Sequence, residues 1–424
     1  MTQGMTEWVI ARLGRQGDGL AEGPVHVPRA LPGERVRGRL RGDRLEEVRI
    51  VTPSPDRVAP PCRHYGACGG CQMQHAADGL VREWKAETVR RALAAQGLSA
   101  PLRPVLVSPA DARRRAGFAA RRTKKGALAG FHGRGSDVIV ETPDCRILHP
   151  ELRPGRAVAR DLAILGGSRK AVLSVMVTLS RGGLDVAARG GKPADGPLRI
   201  ALAELAARHD LARLAWEDEV IVTRAAPVQR FGPAEVVPPP GAFLQATAHG
   251  EAALWDAVAE ITAGAARVAD LFAGCGTFSL PLAARARVHA VEGSAAMVAA
   301  LERGWRHAPG LKALSAEARD LFRRPLMPDE LARFDAVVLD PPRAGATAQV
   351  AELAGSGVPV IAYVSCNPVS FARDARVLAG AGYALDWVQV VDQFRWSAHV
   401  ELAACFRLPH IGAKRAETPS RDGQ

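Results

Sequence analysis

Ser365-Cys366-Asn367-Pro368 closes the apolar run Val358–Val364. Open α/β sheets gather their ligands and reactive groups outside the carboxyl ends of the strands, so a thiol here is placed for chemistry. Three further features share the C-terminal half: a glycine turn within Asp270–Gly276, the turn Asp340-Pro341-Pro342-Arg343, and a carboxylate at Glu401. A thiolate that adds to carbon 6 of a uracil ring makes carbon 5 nucleophilic toward a methyl donor. The carbon-5 proton must then pass to a base before the thiol leaves. Cys366 suits the first task, and Glu401 suits the second if its strand lies beside that of Cys366. Each alone is as readily a buried structural side chain. Together they read as a nucleophile and its general base.

The electrophile needs a site of its own. Arg267–Phe272 reads as a buried strand running into the glycine turn, and Phe278–Ala284 opens a helix. Gly274 and Gly276 let the backbone turn tightly and approach a ligand closely. A second strand, Val288–Val291, ends in Glu292, 18 residues after Gly274. A carboxylate there can accept hydrogen bonds from both ribose hydroxyls. The third glycine of a dinucleotide fingerprint is missing, which points to a ligand without a pyrophosphate, and S-adenosylmethionine fits. Asp320 is expected to end a third strand near the adenine. Phe334–Leu339 is a fourth strand, after which two prolines fix a turn that sends Asp340 into the crevice. Arg343 stands where enzymes acting on exocyclic amino groups often carry an aromatic residue, which argues against that chemistry.

A separate constellation lies nearer the N-terminus. Cys62, Cys68 and Cys71 fall within ten residues, with Gly69 and Gly70 between the last two, and Cys145 is a candidate fourth ligand. Four thiolates suit zinc or an iron–sulfur cluster equally on softness, while the lack of paired CxxC knuckles slightly disfavours zinc. Disulfides are disfavoured in a chain without a signal segment.

The 424 residues carry a formal charge of +12. Between Pro101 and Gly135 stand nine basic residues against one acid, Asp111, so this stretch alone carries +8. Arg113, Arg114, Arg115, Arg121, Arg122, Lys124 and Lys125 form its centre. Such a stripe suits a phosphate backbone, and a merely solvated face is the alternative. No long uncharged apolar run exists, so no membrane span is expected, and Glu7, Arg12 and Arg15 leave no apolar signal core. A cytoplasmic monomer is the expectation.

The positioning elements follow from punctuation and period. Short β-type runs between glycines over 1–58 read as a small β-barrel. Residues 59–237 read as a central α+β domain holding the cysteines and the basic stripe, with a helix over Ala76–Gln96 and strands at Val172–Leu179 and Glu219–Arg224. From 238 to 410 the βαβα alternation predicts an α/β domain with a parallel sheet. The end, 411–424, reads as a disordered tail.

Ser365–Pro368, Asp340–Arg343, Asp270–Ala283 and Phe243-Leu244-Gln245 together resemble the RNA uracil-5 methyltransferases, across most of the chain. The resemblance implies the class I S-adenosylmethionine-dependent (Rossmann-like) fold, Cys366 as nucleophile and Glu401 as proton acceptor. It also implies that Gln245, Phe272, Glu292 and Asp340, with Asp320, line the cofactor site. Ile10–Val27 is similar to the TRAM module, an RNA-binding OB-like barrel. Likeness to the rRNA-modifying members implies a [4Fe–4S] cluster on the four cysteines and 23S rRNA as partner. A tRNA enzyme and a catalytically silent RNA-binding or redox-sensing relative are the alternatives. The chain departs from the family at Thr247, usually asparagine, and at Arg395 and Ser397, usually proline and threonine.

Overall fold

The computed structural model describes residues 6–409; the expected disordered tail lies outside them. Eight strands form one sheet in the order Leu314–Ala318, Arg287–Glu292, Arg267–Leu271, Ala336–Leu339, Val360–Ser365, Glu401–Arg407, Ala384–Asp392, Leu102–Val107. The first five run parallel. Glu401–Arg407 lies antiparallel to both its neighbours. Helices follow the strands, as the βαβα alternation predicts, and they bury both faces of the sheet. Alternate residues of each central strand feed the two cores: Val268, Val338, Ala362 and Ala403 one side, Ala269, Val337, Ile361 and Leu402 the other. This period of two fixes which way each strand-end side chain points.

Helix starts are capped by side chains suited to the task. Asn367 accepts from the Val369 N–H at the head of Pro368–Gly380, with proline at the first turn. Thr247 does the same for Ala248–Ile261 through the Gly250 N–H. Gly250 is obligatory there for space, since a Cβ would stand 2.5 Å from Cβ of Gln393.

The N-terminal strands Thr6–Leu13, Gly19–Ala21, Val25–Val27, Arg35–Arg41 and Arg44–Thr52 close into a barrel around Ile10, Val27, Val36 and Leu45. A seven-stranded sheet forms the middle of the chain, from Glu219–Thr223 at one edge to Ile139–Val140 at the other. Helices Gly155–Gly166 and Gly196–Arg208 contribute to the core that packs on it. Leu102–Val107, from the basic stretch, instead pairs with Ala384–Asp392 on the eight-stranded sheet. The helix Asp78–Ala94 joins the barrel side to that sheet, with Val89 and Leu93 in its core.

Candidate active site

Cys366 follows directly on the Val360–Ser365 strand, and Glu401 begins the strand beside it. Ser365 pairs with Leu402 in that antiparallel ladder, so one further step of register sets Cys366 across from Glu401. The carboxylate is 3% exposed. Burial, with Asp340 close by, pushes it up to about 8, against the pull of a hydrogen bond from Gln393. Burial, then Glu401 and Asp340, push the Cys366 thiol up to about 11, while the Arg343 guanidinium draws it down. The turn at Arg343 is tied to the thiol's helix, since Asn367 Nδ2 and Ser370 Oγ both donate to the Arg343 carbonyl.

Gln393 has no role in the sequence-based expectation. Its amide nitrogen donates to Glu401 Oε2 at 2.9 Å and to Gln245 Oε1 at 2.6 Å, and its carbonyl oxygen accepts from the Ala246 N–H at 2.9 Å. One buried amide thus joins the expected base to the expected donor site. Its only sequence signal was its place in Asp392-Gln393-Phe394, eight residues before Glu401.

The remaining residues expected at the donor site stand at or just past carboxyl ends of neighbouring strands. Glu292 ends Arg287–Glu292 and accepts from the Gly274 and Ser294 N–H groups. Gly274 has φ +56° and open space where a Cβ would be; Gly276 has φ +96° and packs on Leu280. Phe272 also holds a positive φ, +62°, a strained setting at the turn. Its ring lies 5.5 Å from that of Phe322, a half-exposed side chain the sequence reading missed. Asp320 stands two residues past the Leu314–Ala318 strand, exposed, accepting from the Phe322 N–H. Burial and Asp270 push Asp340 up to about 7; burial, with Glu292 adding, pushes Asp270 to about 7. Crowded carboxylates in a buried crevice suit a cationic ligand, and the sulfonium of S-adenosylmethionine is one.

Cys366 opens on a cavity of about 670 Å³. Arg12 to Gln16 of the barrel, Trp84 and Arg91 of the joining helix, and Ser397 to Val400 wall it. Of the basic residues expected to face phosphates, the structure separates two sets. Arg114 pairs with Glu251, Arg115 donates to the Gly241 carbonyl and Arg113 to that of Arg115, all part-buried. Arg122, Lys124 and Lys125 lie exposed at the tip of the hairpin formed by Arg115–Arg122 and Ala127–His132, with Arg121 half-buried beside them. The expected stripe is therefore split by the ion pair and carbonyl contacts of Arg113, Arg114 and Arg115.

A family model described as tRNA (Uracil-5-)-methyltransferase matches residues 238–407. An RNA methyltransferase of Brucella suis is 44% identical over 408 residues, covering 95% of this chain and 98% of its own. One from Caulobacter vibrioides is 45% identical, with 95% and 100% covered. A Chromohalobacter salexigens relative named 23S rRNA (uracil(1939)-C(5))-methyltransferase RlmD is 36% identical, with 92% and 87% covered. The chain belongs to the RNA uracil-5-methyltransferase family. It is an S-adenosylmethionine-dependent enzyme. The fold agrees with the Pyrococcus abyssi tRNA (uracil-54, C5)-methyltransferase structure, solved with S-adenosyl-L-homocysteine, at TM-score 0.73 and 22% identity over 95% of this chain and all of that one.

In this methyltransferase the three residues read as departures from the family pattern each have local contacts. Thr247 caps its helix, Ser397 Oγ accepts from the His399 N–H, and Arg395 donates to Asp78. Cys62, Cys68, Cys71 and Cys145 are free thiols lining one cavity of about 230 Å³. Burial pushes Cys71 up to about 12, with the other three thiols adding. Among the described residues no group of three or more His, Cys, Asp or Glu is gathered closely enough for one metal ion. The thiols therefore share a cavity without converging on a point.

Proposed function

We propose that this methyltransferase forms 5-methyluridine in 23S rRNA through a covalent bond between Cys366 and uracil carbon 6. The observation that carries the reading is the ladder that sets a thiol beside a buried carboxylate, with Gln393 joining that carboxylate to Gln245. Bound S-adenosylmethionine would supply an electrophilic methyl group, the pair of the broken methyl–sulfur bond staying on sulfur to leave the neutral thioether. The Cys366 thiolate adds to carbon 6, and the electron pair of the 5,6 double bond becomes available at carbon 5 for the bond to methyl. Glu401 then takes the carbon-5 proton, the double bond re-forms, and the sulfur–carbon bond breaks. Gln245, Phe272, Gly274, Gly276, Glu292, Asp320 and Asp340 are the residues to hold the donor, Glu292 toward the ribose.

Cys62, Cys68, Cys71 and Cys145 would hold a [4Fe–4S] cluster with a structural task, since methyl transfer needs no electron. The lack of paired CxxC knuckles slightly favours the cluster over zinc. The barrel and the Arg121–Lys125 hairpin would grip RNA. The relative named for 23S rRNA, matched over 92% of this chain, favours that substrate over tRNA.

Mapping 5-methyluridine in RNA from a deletion strain tests the reading. One 23S site should lose its methyl group and regain it with the parent gene but not with Cys366→Ala. Loss confined to tRNA would move the substrate there.

A further inference from the structure

Lys85 is a fully buried lysine, far in sequence from every residue assigned to the reaction. It sits on the helix Asp78–Ala94, whose Trp84, Thr88 and Arg91 wall the cavity over Cys366. Its ammonium has three donors and three acceptors: Asp392 Oδ1 at 2.6 Å, the His399 carbonyl at 2.9 Å and the Phe394 carbonyl at 3.2 Å. All three acceptors belong to the stretch 392–399, which leads from one strand of the sheet to Glu401. Asp392 Oδ1 also takes the Phe394 N–H, so the loop folds around the ammonium. Between these contacts lies Gln393, which touches both Glu401 and Gln245. A second pair runs the opposite way, from Arg395 on the loop to Asp78 on the helix at 2.6 Å.

We propose that Lys85 is a positioning residue for proton removal, holding the 392–399 loop so that Gln393 keeps the Glu401 carboxylate aimed at carbon 5. This rests on Glu401 being the base. A buried ion pair between elements 307 residues apart gives little net stability for its desolvation. What it does give is a fixed geometry for the loop, because a saturated ammonium leaves it one arrangement.

The test compares Lys85→Met, Glu401→Gln and the parent on substrate RNA with S-adenosylmethionine. Lys85→Met should still form the Cys366 adduct, since Lys85 does not touch the thiol, and should bind the donor within about threefold of the parent, since Lys85 meets the donor site only indirectly, through Gln393 and Gln245. Turnover should fall at least tenfold, with KM for RNA little changed, and methylated adduct should accumulate as it does in Glu401→Gln. If Lys85→Met turns over normally while Glu401→Gln accumulates adduct, the positioning role is wrong and the base assignment stands. If Glu401→Gln turns over normally, the base assignment fails whatever Lys85 does. Should Lys85→Met not fold, Lys85→Met with Asp392→Leu removes both charges and should restore the fold while adduct still accumulates. Failure of both variants to fold, or normal turnover by the double variant, would leave Lys85 a purely structural lysine.

Discussion

In the proposed mechanism Glu401 and Cys366 both act deprotonated; burial and the Asp340 charge hold both back from that state, and the Glu401 charge adds to the hold on the thiol. Turnover should therefore rise as pH climbs from 6 through about 8, where the carboxylate ionises, and keep rising while the thiol does. Arg343 pulls the thiol down, so Arg343→Met should move the alkaline limb higher and cut the rate at neutral pH about tenfold per unit of rise. A pH–rate profile of the two proteins checks this. The same raised carboxyl bears on stability. Because Glu401 in the fold keeps its proton to about 8, whereas an unfolded glutamate loses it near 4.5, ionisation costs stability progressively across that window. Glu401→Gln should accordingly be more stable than the parent at pH 8, by about 1 kcal/mol or more, with the difference vanishing below pH 4.5. Thermal denaturation at both pH values measures it. The crowded Asp270, Asp340 and Glu292 lead to a further expectation. Cationic S-adenosylmethionine should gain affinity over neutral S-adenosylhomocysteine as pH rises through 7, and calorimetry giving a constant ratio would remove the charge argument.

At the scale of elements, the strands and turns that carry the proposed donor site were legible because each leaves a local signature. Each buried apolar run lies within a few residues of its own glycine turn or strand-end acid: Arg267–Leu271 with Gly274 and Gly276, Arg287–Glu292 with its last residue, Ala336–Leu339 with Asp340. The contacts that join elements were not. Lys85 reads as one more charge on an amphipathic helix, and nothing within its own neighbourhood announces Asp392. Arg113 to Arg115 looked like a phosphate grip because charge is visible in sequence and an ion partner 137 residues away is not. The two basic sets should now behave differently. Replacing Arg122, Lys124 and Lys125 by alanine should weaken RNA binding and lower its salt slope by up to about three counterions, leaving the fold intact. Arg114→Ala should instead cost about 3 kcal/mol of stability, by stranding the part-buried Glu251. Fluorescence titration at several salt concentrations, beside denaturant unfolding, separates the two outcomes.

Across the whole molecule, the barrel, the thiol cavity and the catalytic sheet meet at the loop that leads to Glu401. The N–H groups of Gln72 and Met73, just past Cys71, donate to the Trp396 carbonyl, and the Ala398 N–H donates to the Gln72 side chain. Anaerobically prepared protein should carry about four irons per chain, and Cys68→Ser should lose them together with stability. A single zinc without sulfide would overturn the cluster assignment. The most direct test of the whole scheme is a denaturing gel of Glu401→Gln after incubation with radiolabelled substrate RNA and S-adenosylmethionine. Addition and methyl transfer need only the thiolate and the donor, whereas release needs the base. The expected result is a protein–RNA band containing 5-methylated uracil, absent from Cys366→Ala carrying the same change. Free methylated RNA at the parent rate, with no such band, would contradict it.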